Sequence, residues 1–139
     1  MPQLERPFLL DTSVLLAFLR SERGQGYELA AELLGQGCIL SVNLVEVVYD
    51  LMADKALNAG DASRLVTALG VPTIDFTEDM AAVAAGLRRR YRDAKLSTGD
   101  ACCLAAAKVL GLSAATKDAL WLNVVELDVV DIWPTRPGS

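Results

Sequence analysis

The sequence predicts an α/β fold, a central parallel sheet with helices on both faces. Three observations predict it. Short apolar runs alternate with longer helical segments along the chain, the pattern of parallel strands joined by helical crossovers. Within those runs apolar and polar residues do not alternate, which fits strands buried on both sides. Hydrophobic residues make up 53% of the 139 positions, enough for a substantial interior. The chain reads as one domain over residues 1–139, without repeats, linkers or low-complexity segments.

The first strand is residues 8–10, Phe-Leu-Leu, ending at Asp11. Thr12 and Ser13 lead into a helix that starts over 14–19 and is broken by the polar cluster at 20–25. A second helical stretch over 27–34 is closed by Gly35 and Gly37, and residues 38–41 form the second strand. The helix predicted over 43–56 has Leu44, Val45, Val47, Val48, Leu51 and Met52 on one broad apolar face, with Glu46 turned away from it. Asn43, three residues earlier, is a candidate cap for that helix. A short helix over 61–69 ends at Gly70, and Pro72 introduces a third strand over 73–76. The helix over 78–92 turns Met80, Val83, Ala84 and Leu87 inward and ends in Arg88, Arg89, Arg90 and Arg92.

Residues 96–118 carry the most information. Ser97-Thr98-Gly99-Asp100 opens a helix that is apolar or small from Ala101 to Leu110 except at Lys108, and a helix of that kind belongs inside a protein. Gly111 stops it. A short strand over 112–116 follows, with Lys117 and Asp118 just past its end. Residues 124–132 supply the last strand before a Pro-Thr-Arg-Pro-Gly-Ser tail, and Trp121 and Trp133 pack near the end of the sheet.

Composition narrows the chemistry. There is no histidine, which removes imidazole bases, Ser-His and Cys-His nucleophile pairs and imidazole zinc sites together. Three cysteines, two of them neighbours on the buried helix, read as packing residues in a reducing compartment. The opening MPQLERPF lacks the layout of a signal peptide and no apolar run is long enough to span a bilayer, so the expected location is the cytoplasm. A net charge of −5 speaks against nucleic-acid binding by bulk positive field but leaves room for a local basic patch.

The acids fall into a pattern. Asp11 ends the first strand, Glu46 follows the second, Asp100 begins a helix and Asp118 follows a later strand. Each has an ordinary explanation: Ser97-x-x-Asp100 fits a capping box and Asp118 an N-cap. Together they lie at element boundaries on what can be one edge of the sheet, where open parallel sheets bind ligands. Clustered carboxylates raise one another's pKa and need protons or cations. A hard divalent cation such as Mg²⁺ or Mn²⁺ satisfies them, and phosphate-ester hydrolysis is its natural use.

The segments Leu-Leu-Asp11-Thr-Ser13, Glu46 after Ser41, Leu-Ser-Thr-Gly-Asp100-Ala and Ala-Ala-Thr116-Lys-Asp118 together resemble the PIN domain, most closely the VapC-type ribonuclease toxins of toxin–antitoxin pairs. The resemblance covers nearly the whole chain. It implies a three-layer fold around about five parallel strands with helices on both faces. It also implies an Mg²⁺- or Mn²⁺-dependent endoribonuclease that cuts RNA phosphodiesters with metal-activated water, a VapB-like antitoxin partner and a homodimer. Asp11, Glu46, Asp100 and Asp118 match the family's acidic, metal-binding quartet, and Ser13 and Thr116 its accompanying hydroxyls. Gly99 departs from the pattern, a larger residue being usual there. The arginine run 88–92, with Tyr91, offers phosphate contacts and a stacking ring for RNA, or a solvated helix end whose cations suit the dipole.

Two other readings use the same residues. A receiver-like phosphoacceptor would take Asp75 as acceptor with Lys117 as its partner, but wants an acidic pair where Asp11 is followed by Thr12 and Ser13. A catalytically inactive PIN-like scaffold would bind a partner without cutting.

Overall fold

A computed structural model describes residues 6–138. The first residues of the MPQLERPF stretch and the final residue of the tail lie outside the described residues. The strands are β1 (Phe8–Leu10), β2 (Gly37–Leu40), β3 (Thr73–Ile74), β4 (Ser113–Thr116) and β5 (Val129–Asp131), and the helices are α1 (Thr12–Leu19), α2 (Tyr27–Leu33), α3 (Ser41–Lys55), α4 (Ala59–Thr67), α5 (Glu78–Arg90) and α6 (Thr98–Leu110). The five strands form one sheet in the order β3-β2-β1-β4-β5, every neighbouring pair parallel. The parallel sheet and its strand number agree with the sequence reading.

Because successive strand residues face opposite sides, β1, β2 and β4 each feed two cores. Leu9, Cys38, Leu40 and Ala114 face α5, α6 and Trp121, whereas Leu10, Ile39 and Ala115 face α1, α3 and α4. This explains why the strands read as unbroken apolar runs. In α6, residues Ala101 to Ala107 are all buried, and the helix surfaces at its two ends, at Thr98 and at Lys108 and Val109. Gly111 ends α6 in the left-handed conformation at φ 69°, which glycine adopts without steric cost. Cys38, Cys102 and Cys103 are free and buried. Among the described residues no helix is long and apolar enough to cross a membrane.

Several expectations are corrected. The predicted last strand over 124–132 is only Val129–Asp131, because Ala119–Asn123 forms a 3-10 turn that seats Trp121 in the core and the chain then winds to β5. α3 begins at Ser41, not Asn43. The Ser41 hydroxyl accepts from the Phe76 amide at 3.1 Å, tying the helix start to the segment after β3. Asn43 therefore caps nothing and is buried inside the first turn. Val45, expected on the inward face, is 70% exposed beside Tyr49 at 71%; the buried stripe runs through Val47 and Leu51.

The strand order matters for function. Connections run outward from β1 through β2 to β3, and the chain then crosses back to place β4 on the other side of β1. The carboxyl ends of β1 and β4 thus flank the point where the winding reverses, the crevice in which such sheets bind ligands.

Candidate active site

Asp11 occupies that crevice. It leaves β1 in extended conformation and serves as the N-terminal flank of α1 without a side-chain cap. The residue is 6% exposed, and its carboxylate accepts at Oδ2 from the Ser13 hydroxyl at 2.8 Å and the Thr116 hydroxyl at 3.0 Å. Each hydroxyl has one proton to give, so each accepts elsewhere: Ser13 from the Lys117 amide at 2.9 Å, Thr116 from the Asp118 amide at 3.0 Å. Two hydroxyls from opposite sides of the switch point therefore hold one carboxylate and the start of the loop after β4.

Glu46 approaches from α3. Its Oε1 accepts from the Thr12 hydroxyl at 2.8 Å and from Asn43 Nδ2 at 2.9 Å. Asp100 is the third residue of α6 and closes a capping box with Ser97: the Ser97 amide donates to Asp100 Oδ2 at 3.0 Å, and the Asp100 amide to Ser97 Oγ at 3.1 Å. Asp118 caps the 3-10 turn, accepting at Oδ1 from the Leu120 amide at 3.0 Å. The capping roles read from sequence for Asp100 and Asp118 are thus present, and they do not exhaust these side chains. Each of the four carboxylates commits one oxygen to protein donors and, among the described residues, makes no hydrogen bond with the other.

The acids sense one another. Burial first, and then the negative charges of Asp100 and Glu46, push the Asp11 carboxyl up to about 7, against the lowering effect of its two hydroxyl donors. Asp100 is also raised, mainly by burial and further by Glu46 and Asp118. The structure brings all four sequence-predicted acids, with Ser13 and Thr116, into one electrostatically coupled network. As they stand, no three His, Cys, Asp or Glu side chains among the described residues are drawn together closely enough to hold a metal ion. The donor set nevertheless suits a hard cation: four carboxylates, each with an oxygen to spare, and no soft ligand.

Three participants escaped the sequence reading. Thr12, Asn43 and Gly99 all touch Glu46 or its surroundings. Asn43 had a signal, since residues three apart on a helix are neighbours, but only as a cap in the reading above. The arginine run is divided by its partners. Arg88 donates to the Leu96 carbonyl at 3.1 Å and the Thr98 hydroxyl at 3.0 Å, bracing the approach to Asp100. Arg90 pairs with Glu126, which also receives Lys108 and, at 2.8 Å, the Tyr91 hydroxyl. Arg89 and Arg92 are exposed and line an open cleft of about 410 Å³ with Ala85 and Arg88. The receiver-like reading finds no support in this arrangement: Asp75 follows edge strand β3, while Lys117 follows β4 and binds Glu22 at 3.0 Å.

Comparison with known proteins agrees with this fold. A toxin–antitoxin complex from Klebsiella pneumoniae contains a chain similar to this one, with 26% identity over 89% of this chain and 96% of that one and a TM-score of 0.68. A DNA-bound VapBC structure from Salmonella typhimurium gives 18% identity, 90% and 97% coverage and a TM-score of 0.70. FitAcB from Neisseria gonorrhoeae gives 21%, 91% and 99%, and 0.67. At the two lower identities the likeness is one of fold. No curated protein matches the chain. The PIN domain family model matches residues 8–127, a span that holds the whole acidic network, and the chain belongs to the PIN domain family.

Proposed function

We propose that this protein is a divalent-metal-dependent endoribonuclease, the toxin of a VapBC-like toxin–antitoxin pair. One observation carries the reading: four carboxylates lie around the switch point within electrostatic reach of one another, each anchored through one oxygen and each with the other oxygen uncommitted among the described residues. Asp11, Asp100, Asp118 and Glu46 would hold Mg²⁺ or Mn²⁺, and the resemblance of these positions to the PIN quartet supports all four. When bound, such a cation supplies charge neutralisation at a phosphoryl oxygen and activation of water.

The chain's own residues do the positioning. Ser13 and Thr116 fix the Asp11 carboxylate, so its free oxygen has one direction. Ser97 fixes Asp100 at the start of α6, and burial favours a proton on Asp11 that a bound cation would displace. Arg89 and Arg92, with the cleft they line, suit RNA phosphates. The solved relatives are toxin–antitoxin complexes, which supports an antitoxin partner here. The exposed pair Val45 and Tyr49 on α3 suits a homodimer contact, and the three free buried thiols suit a reducing cytoplasm.

The test is cleavage of a mixed RNA pool with Mg²⁺ or Mn²⁺, beside EDTA and the Asp100→Asn variant. Asparagine keeps an oxygen for the Ser97 amide, so the fold is retained. Cutting that is lost in both controls supports the proposal. Cutting that survives both overturns it, as does absence of metal binding; partner binding without metal and without cutting would point to the scaffold reading.

A further inference from the structure

We propose that Gly99 and Asn43 are positioning residues that hold the Glu46 carboxylate in one orientation, Oε1 turned to protein donors and Oε2 left open. This deepens the functional reading above and rests on it. A methyl group on Gly99 would lie 2.8 Å from Glu46 Oε2 and 3.0 Å from both Cδ and Oε1. The α6 backbone at Gly99 is ordinary helix, so it is space beside Glu46, not backbone freedom, that glycine provides there. Asn43 closes the opposite side. Its Nδ2 donates to Glu46 Oε1 at 2.9 Å and to the Gly99 carbonyl at 3.3 Å, so one amide joins α3 to the start of α6. Reversing that amide would set Oδ1 against two acceptors, which fixes its orientation. Asn43 is fully buried and, among the described residues, its Oδ1 has no partner, an exception that buried polar groups rarely show without a role. A larger residue at 99 must displace a carboxylate that Asn43 and Thr12 hold at Oε1. The space beside Glu46 at Gly99 and the buried Asn43 are therefore two halves of one device.

The experiment compares Gly99→Ala, Asn43→Ala, the double variant and Gly35→Ala by ¹⁵N NMR of the Asn43 side-chain amide, calorimetric Mn²⁺ titration and thermal unfolding. Gly35 has open space around it and serves as the control. Gly99→Ala is expected to shift the Asn43 amide signals and weaken Mn²⁺ binding by about 10- to 100-fold, the range for residues that orient metal ligands. Its unfolding midpoint is expected to fall by no more than that of Asn43→Ala, because both strain the same bonds to Glu46 and alanine is the better helix former. The double variant should bind no more weakly than the worse single variant, since both act on one carboxylate. Unchanged amide signals in Gly99→Ala, or losses that simply add, would overturn the proposal. If the parent protein binds no Mn²⁺, the functional reading fails while the amide signals still decide the positioning.

Discussion

The Ser13 hydroxyl donates to Asp11 Oδ2 at 2.8 Å and accepts from the Lys117 amide at 2.9 Å, so a single side chain ties the end of β1 to the loop after β4. Truncating it should act in two ways. Ser13→Ala leaves the Lys117 amide without that acceptor and is expected to cost about 1–2 kcal/mol in chemical unfolding. It also removes a bond to the ionised form of Asp11, so the Asp11 carboxyl should rise further. The acidic limb of a pH–activity profile should then move to higher pH. An unmoved limb would separate Ser13 from the chemistry.

Asp11 should give the metal-free protein an inverse pH dependence. Its folded pKa of about 7 stands above the ordinary 3.8, so the folded state keeps a proton that the unfolded chain has lost. This contribution to stability is fully present below about pH 4, falls as pH rises to about 7, and is level beyond, with a slope on the order of 1 kcal/mol per pH unit. Unfolding of wild type and Asp11→Asn in EDTA isolates it as a difference between the two curves. Adding Mg²⁺ at pH 8 should raise the wild-type midpoint and leave Asp11→Asn unmoved, because a ligand that binds only the folded state stabilises it by mass action.

Glu126 has the opposite sign. Lys108, Tyr91 and Arg90 hold its carboxyl down at about 2, below the ordinary 4.5. Its contribution is present above about pH 4.5 and disappears as pH falls toward 2. The cations remain substantially exposed, with Arg90 56% and Lys108 40% accessible, so salt should weaken the cluster. Glu126→Gln should lower the melting temperature at pH 7 in dilute buffer and much less in 1 M NaCl, where the Debye length is about 3 Å. Equal losses in both would show that packing, not charge, holds the cluster.

Much of this architecture was legible because its signals are local. Phe8-Leu9-Leu10 and Cys38-Ile39-Leu40 read as buried strands because both of their faces meet helices. Ser97 and Asp100 announced the start of α6 because a capping box needs only four residues. Where the signal depended on what lies across a gap, the reading failed. Val45 fits an apolar stripe by spacing and is exposed, since nothing in the described chain covers that side of α3. Asn43 was taken for a cap because its partner at Gly99 is 56 residues away. Gly99 was noted only as a departure, its reason being the Glu46 carboxylate against its Cα.

By itself the sequence determined the parallel α/β class, the order of strands and helices along the chain, and four acids at element boundaries. Those follow from hydrophobic patterning and capping, interactions within a few residues. Only the tertiary structure decided that β1 lies between β2 and β4, and so that Asp11 faces Thr116 across the switch point. It alone decided that each acid has one anchored and one free oxygen. Strand order is set by how two cores fill on opposite faces of one sheet, and the direction of a carboxylate by donors that the chain brings from 34 or 105 residues away; neither is written in any short stretch of residues.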